Sequence, residues 1–164
     1  MAVRQINVER FSLISKKSFA DVLSGIEGQI GHPEIKSVLA AISAAKTEEE
    51  VEKIVGAKVG PTNLMEFARF NQGEVSRKET GSSGPQMLRI LVGNPVTMKK
   101  MASYVHDAGS YAPVTILIDE RPDGVYLSYD RMASFLASYE APAAMKVARE
   151  LDATVESVLA KAAG

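Results

Sequence analysis

Arg121-Pro122-Asp123-Gly124 constrains this chain more than any other stretch. Proline presets φ at the first turn position, and glycine supplies the positive-φ position that L side chains resist. The flanking segments, Val114 to Glu120 and Val125 to Asp130, are therefore predicted to pair as a β-hairpin. A lone hairpin is marginal in water, so other elements must join it.

Periodicity supplies them. Val8 to Ile14 alternates with a two-residue period, Val8, Arg10, Ser12 and Ile14 on one side and Glu9, Phe11 and Leu13 on the other. Leu64 to Phe70 is a second strand. Met87 to Val92 is apolar except for Arg89, which suits a central strand. Between these lie helices. Ser18 caps one over Phe19 to Ile30, with Asp21 in its first turn. Pro33 opens a second, with Ile35, Val38, Leu39 and Ile42 as its apolar stripe. Thr47-Glu48-Glu49-Glu50 is a capping box for a third, which Gly56 ends. Asn94 and Pro95 start a fourth, with Met98, Met101, Ala102 and Val105 on one face and Gly109 as terminator. Ala143 to Ala162 is the last, with Leu151, Val155, Val158 and Leu159 along one side. The polar stretch 71–86, containing Gly81-Ser82-Ser83-Gly84-Pro85, reads as a long hairpin arm or a lid.

This order predicts an α+β fold. Its sheet is antiparallel or mixed, of about five strands around a split βαβ core, with helices on one face. The extra helices follow the first strand and close the chain. A split βαβ core sets the first and third strands side by side and parallel, so Lys16-Lys17-Ser18 would meet Gly93-Asn94-Pro95 at one edge.

With 164 residues, 46% hydrophobic and 24% charged, the chain has the size and balance of one domain over residues 1–164. Its 19 basic and 20 acidic residues give a net charge of −1, so no global field draws nucleic acid or an acidic membrane. Aromatic residues, at 6%, are too sparse for a base-stacking platform. Cysteine is absent, which removes thiol catalysis, thiolate metal sites and disulfides. No apolar segment follows Arg4 as in a signal peptide, and no run approaches the ~20 residues of a membrane helix. A cytoplasmic protein is expected.

Several of these segments together resemble a known family. They are Val8–Ile30, the run Met87 to Pro95 ending in Gly93-Asn94-Pro95, the Pro113-led strand through Glu120, and the Asp123-Gly124 hairpin through Tyr129. The pattern resembles domain of unknown function 302 over about residues 8–135. The resemblance implies a compact α+β domain, often a homodimer, and no established activity. The helices between Pro33 and Gly56 and the C-terminal helix, about residues 143–162, look like additions to the family core. Some relatives carry cysteine where this chain has Gly93.

Three functions fit these residues. The first is a homodimeric module that binds a small anionic ligand, a phosphate or carboxylate, at the junction of two helix N-termini. Lys16, Lys17, Ser18, Gly93, Asn94 and Lys99 would line it, with Lys100 nearby. The second is a cofactor-free enzyme using His106 as general base, with Asp107 or Tyr111 as its partner. The third is a structural or partner-binding subunit, marked by an exposed apolar patch. His32 and His106 are isolated, so no metal site is expected. Asp119, Glu120 and Asp123 read as turn and edge residues, and Ser82-Ser83 as linker. The methionines read as core or interface rather than a cofactor box.

Overall fold

The structure is a computed structural model and describes residues 3–80 and 84–164. Its strands are β1 (Arg10–Ser15), β2 (Met65–Asn71), β3 (Met87–Gly93), β4 (Val114–Arg121) and β5 (Gly124–Asp130). The β4–β5 hairpin forms where the turn residues place it, with Arg121 facing Gly124. Gly124 has φ +153°, and a Cβ there would lie 2.7 Å from the Ser15 carbonyl oxygen. Conformation and space both demand glycine.

All five strands form one antiparallel sheet in the order β1-β5-β4-β3-β2. The α+β class and one-sided helical cover are as expected. The split βαβ core is not: β1 pairs with β5, and two strands separate it from β3. Strands β2 to β5 follow one another as a meander, so both sides of β3 are taken by its chain neighbours. The slot left for β1 is the free edge of β5, where Arg10 clamps Asp130 through two bonds of 2.6 and 2.9 Å.

The helices are α1 (Phe19–Glu27), α2 (Ile35–Ala44), α3 (Glu48–Gly56), α4 (Gly73–Thr80), α5 (Pro95–Ala102), α6 (Met132–Leu136) and α7 (Pro142–Ala163). Alternation along the strands sends Leu88, Ile90, Ile116, Ile118, Leu127 and Tyr129 to one face. There they join Val22 and Ile26 of α1, Met101 of α5, and Val155 and Leu159 of α7 in the main core. Each such side chain contributes about 1.5–3 kcal/mol when fully buried. The opposite residues, among them Ser12, Ile14, Arg89, Leu117 and Phe70, make the second face, where Ile14 and Phe70 remain 53% and 48% exposed. Helices α2 and α3 build a smaller core of Val38, Val55 and Met65 beside β2, with Ile42, Val51, Phe67 and Val96 packed on it.

Caps explain most boundaries. Ser18 Oγ accepts from Asp21 N at 3.1 Å. Thr47 Oγ1 accepts from Glu50 N, and the Glu50 carboxylate reaches back to Lys46 N at 2.6 Å. Helix α2 begins two residues after Pro33, because the Glu34 carboxylate takes the cap by accepting from Lys36 N and Ser37 N.

Three segments depart from expectation. Residues 73–80 are helical rather than a hairpin arm. Their apolar content is Val75 alone, so no stripe betrays the helix, and Asn71 bonding Glu74 at 3.1 Å anchors its start. Helix α5 stops at Ala102, where Ser103 Oγ donates to the Lys100 carbonyl at 2.9 Å. His106 and Gly109 therefore lie in a separate 3-10 helix, His106–Ser110, and not in the last turn of α5. Helix α6 was not foreseen. Its N-terminus is capped from α7: Asp152, 6% exposed, accepts from Met132 N at 2.7 Å, Ala133 N at 3.1 Å and the Tyr129 hydroxyl at 2.5 Å. Burial pushes the Asp152 carboxyl above the usual aspartate range, against these hydrogen bonds. Burial and the nearby Asp152 charge push the Tyr129 hydroxyl up as well.

Candidate functional site

The strand order separates the two loops expected to share an anion. Ser15 pairs with Val125 at the hairpin end of the sheet, whereas Gly93 pairs with Met65 at the other end. Lys16, Lys17 and Ser18 thus lie at the opposite end from Gly93, Asn94 and Lys99, and no junction of the two helix N-termini exists. Each group already has a structural partner. Lys16 Nζ donates to the Asp123 carbonyl at 2.7 Å, and Lys17 Nζ to the Ala162 carbonyl at 3.2 Å, closing the end of α7. Ser18 caps α1. Asn94 is 6% exposed, and its amide donates to the Asn63 carbonyl and Oδ1 while accepting from Val96 N and Thr97 N. Lys99 pairs with Glu48 of α3.

His106 is exposed, and its ring makes no hydrogen bond or ion pair with another described residue. Asp107 and Tyr111 turn instead to Tyr139, which donates to Asp107 at 2.7 Å and lies 3.2 Å from the Tyr111 hydroxyl. Bonds to Tyr111 and Asp107 hold the Tyr139 hydroxyl above the usual tyrosine range, unlike a general base. Tyr111 also stacks on Phe135 at 4.7 Å. Among the described residues neither Asp107 nor Tyr111 bonds the His106 ring. His32 is half exposed as a turn residue, with Nδ1 3.2 Å from Glu66 Oε2 and Nε2 2.9 Å from the Glu27 carbonyl. No group of three or more His, Cys, Asp or Glu that could hold a metal exists among the described residues. Asp119 pairs with Arg121, Glu120 accepts from Gln86 N and Asp123 accepts from the Tyr126 hydroxyl, as turn and edge residues do. Ser82 and Ser83 lie outside the described residues.

What the sequence did not reveal is a cavity of about 160 Å3 at the Gly93 end. Strand β3 supplies Val92 and Gly93, α5 supplies Pro95, Met98 and Met101, and the segment entering β4 supplies Ala112 and Pro113. Phe67 of β2 and Leu151 of α7 close the sides, and Leu39 of α2, 51% exposed, stands at the rim. Gly93 makes the space. A Cβ there would come within 3.4 Å of Pro113 and 3.6 Å of the Phe67 ring, ordinary van der Waals contact. The polar lining is Asn94, whose amide is fully used, and Thr97. Proline, methionine and aromatic walls without a free amide suit an apolar group. The methionine pattern was legible, but not its consequence: Met101 is buried core, while Met98 and Met101 both face this space.

A family model described as domain of unknown function DUF302 matches residues 39–162. The chain belongs to the DUF302 family. Every residue lining the cavity, from Leu39 to Leu151, falls within the matched segment. The DUF302 match also takes in the second half of α2, all of α3 and nearly all of α7, which the resemblance placed as additions, and leaves β1 and α1 outside it. A crystal structure of an uncharacterized conserved DUF302 protein from Bacillus stearothermophilus has the same fold. It aligns with a TM-score of 0.63 at 8% identity, over 93% of this chain and 97% of that one. No curated protein sequence matches. No helix among the described residues is long and apolar enough to cross a membrane.

Proposed function

We propose that this DUF302 protein is a homodimeric small-molecule-binding domain whose ligand buries a compact apolar group in the cavity beside Gly93. The cavity's size and lining carry the reading. A dry cavity of about 150 Å3 lined by aliphatic and aromatic side chains takes up benzene, and this one is about 160 Å3. The saturated Asn94 amide offers an entering group no hydrogen bond, which leaves the Thr97 hydroxyl as the polar side-chain contact in a lining that is otherwise apolar.

Methyl-labelled methionine resonances test this directly. Titrating toluene should shift the Met98 and Met101 signals and leave Met132 in place. Gly93→Leu should remove the response while the protein stays folded. Unmoved Met98 and Met101 signals at saturating toluene would overturn the reading. A homodimer through the uncovered sheet face would cover the half-exposed Ile14 and Phe70, which stand on its two edge strands β1 and β2. Light scattering on Phe70→Lys should report a monomer where the unaltered protein is dimeric.

A further inference from the structure

We infer that a depression at the centre of the uncovered sheet face binds a phosphoryl group, free phosphate or the end of a small phosphate ester, between Arg89 and Arg10. The site shares no lining residue with the cavity beside Gly93 and does not depend on it.

Arg89 is the one charged residue of β3, in an otherwise apolar strand. Strand register sets it in a row with Phe70 of β2, Leu117 of β4, Ser128 of β5 and Ser12 of β1. Thr115, Asp130 and Arg10 stand two residues along from that row on β4, β5 and β1. The long side chains of Arg89 and Arg10 rise on either side of Leu117 and Ser128. With Thr115, Asp130 and Gln72 they enclose about 170 Å3.

Both guanidinium groups are held in place. Arg10 gives Asp130 two bonds, of 2.6 and 2.9 Å, through Nε and Nη2, so Nη1 stays outside that clamp. Arg89 lies 5.8 Å from the centre of the Phe70 ring and donates to the Thr115 hydroxyl at 3.3 Å. A hydroxyl that accepts from Arg89 keeps its own hydrogen to donate. A guanidinium fixed before a ligand arrives loses less freedom on binding it.

The charge is unbalanced. Asp130 is the one acid in the lining, and Arg10 engages it. Asp119, farther along the same face, is engaged by Arg121 at 2.7 Å. Among the described residues no carboxylate pairs with Arg89. A cation would therefore meet two arginines and no free acid. Two guanidinium groups with the Thr115 and Ser128 hydroxyls are the charge-assisted donors that a phosphoryl group takes.

The test is a titration with inorganic phosphate, followed by amide and arginine Nε–H resonances at low ionic strength. Protein concentration is kept where light scattering reports a monomer, so that no second copy covers the face. Sodium chloride at matched ionic strength is the blank. Phosphate should shift the Arg89, Thr115 and Ser128 signals with a Kd on the order of 1 mM or below. Glycerol phosphate separates the two sources: tighter binding than phosphate assigns the site to an ester, weaker binding to the free ion. Arg89→Gln should weaken phosphate about tenfold. Arg89→Lys, which keeps the charge and loses the fork, should weaken it severalfold. Toluene uptake in the cavity should be the same in both variants. Shifts that chloride reproduces, or phosphate binding that survives Arg89→Gln, would overturn the inference and leave the apolar cavity standing.

Discussion

The two ends of the sheet are built on opposite terms. At the hairpin end the polar side chains at and just after the end of β1 hold the chain. Ser15 Oγ donates to the Ala163 carbonyl at 2.8 Å, Lys17 closes α7, and Lys16 ties β1 to the turn. The glycine there has no room for a methyl group. At the other end Gly93 leaves space that a methyl group would enter without collision, and the polar groups retreat from it into caps. Glycine thus does two jobs in one fold: Gly124 admits a close approach of backbone, and Gly93 withholds a side chain. Lysines at the first end act as staples, while Lys99 at the second is held only by an exposed partner.

The sharpest ways to break this contrast begin with the buried anchor near the cavity end. Asp152→Ala leaves the Ala133 amide and the Tyr129 hydroxyl without their acceptor and the Met132 amide with only its longer bond to Tyr129, and should cost about 3 kcal/mol, read from urea denaturation. Gly124→Ala should cost about 2 kcal/mol through its backbone conformation and the Ser15 contact, a fall in Tm of roughly 2–4 °C per kcal/mol. Asp152 also gives a pH signature. Its folded carboxyl binds a proton more readily than the unfolded one, so its contribution to stability falls as pH rises from the unfolded aspartate value through the higher folded one. Asp152→Asn should flatten that slope in urea midpoints measured against pH. Lys17→Met should cost about 0.5 kcal/mol by uncapping α7. Gly93→Ala is the smallest change for stability, within about 0.5 kcal/mol, yet it should weaken toluene binding in the methyl titration. A large loss of stability at Gly93, or none at Gly124, would dissolve the contrast between the two ends.

Local signals were legible where one side chain decides the backbone. The Pro122-Asp123-Gly124 turn, the Ser18 and Thr47 caps and the Asn94-Pro95 start all stand where their chemistry puts them. Strand neighbours were not, because alternation in Val8 to Ile14 says which side is buried but not which edge the strand joins. That error carried the expected anion site with it, since Lys17 and Asn94 met only through the supposed contact of β1 with β3. Helix α6 escaped notice because its cap comes from Asp152, twenty residues further on in the chain as counted from Met132. The cavity escaped notice because a missing side chain at Gly93 becomes a space only when Phe67 and Pro113 are brought beside it.

The pairing of β1 with β5 also orders events during synthesis. Arg10 and Asp130, which clamp these strands together, are 120 residues apart in the chain. Strands β2 to β5 find their partners in succession as they emerge from the ribosome, but β1 leaves first and has no edge to join until β5 is made. At roughly 5–20 residues per second, that delay is on the order of ten seconds. Throughout it Phe11 and Leu13 lack the sheet that will cover them, so the strand of this sheet that is translated first is the last to be seated.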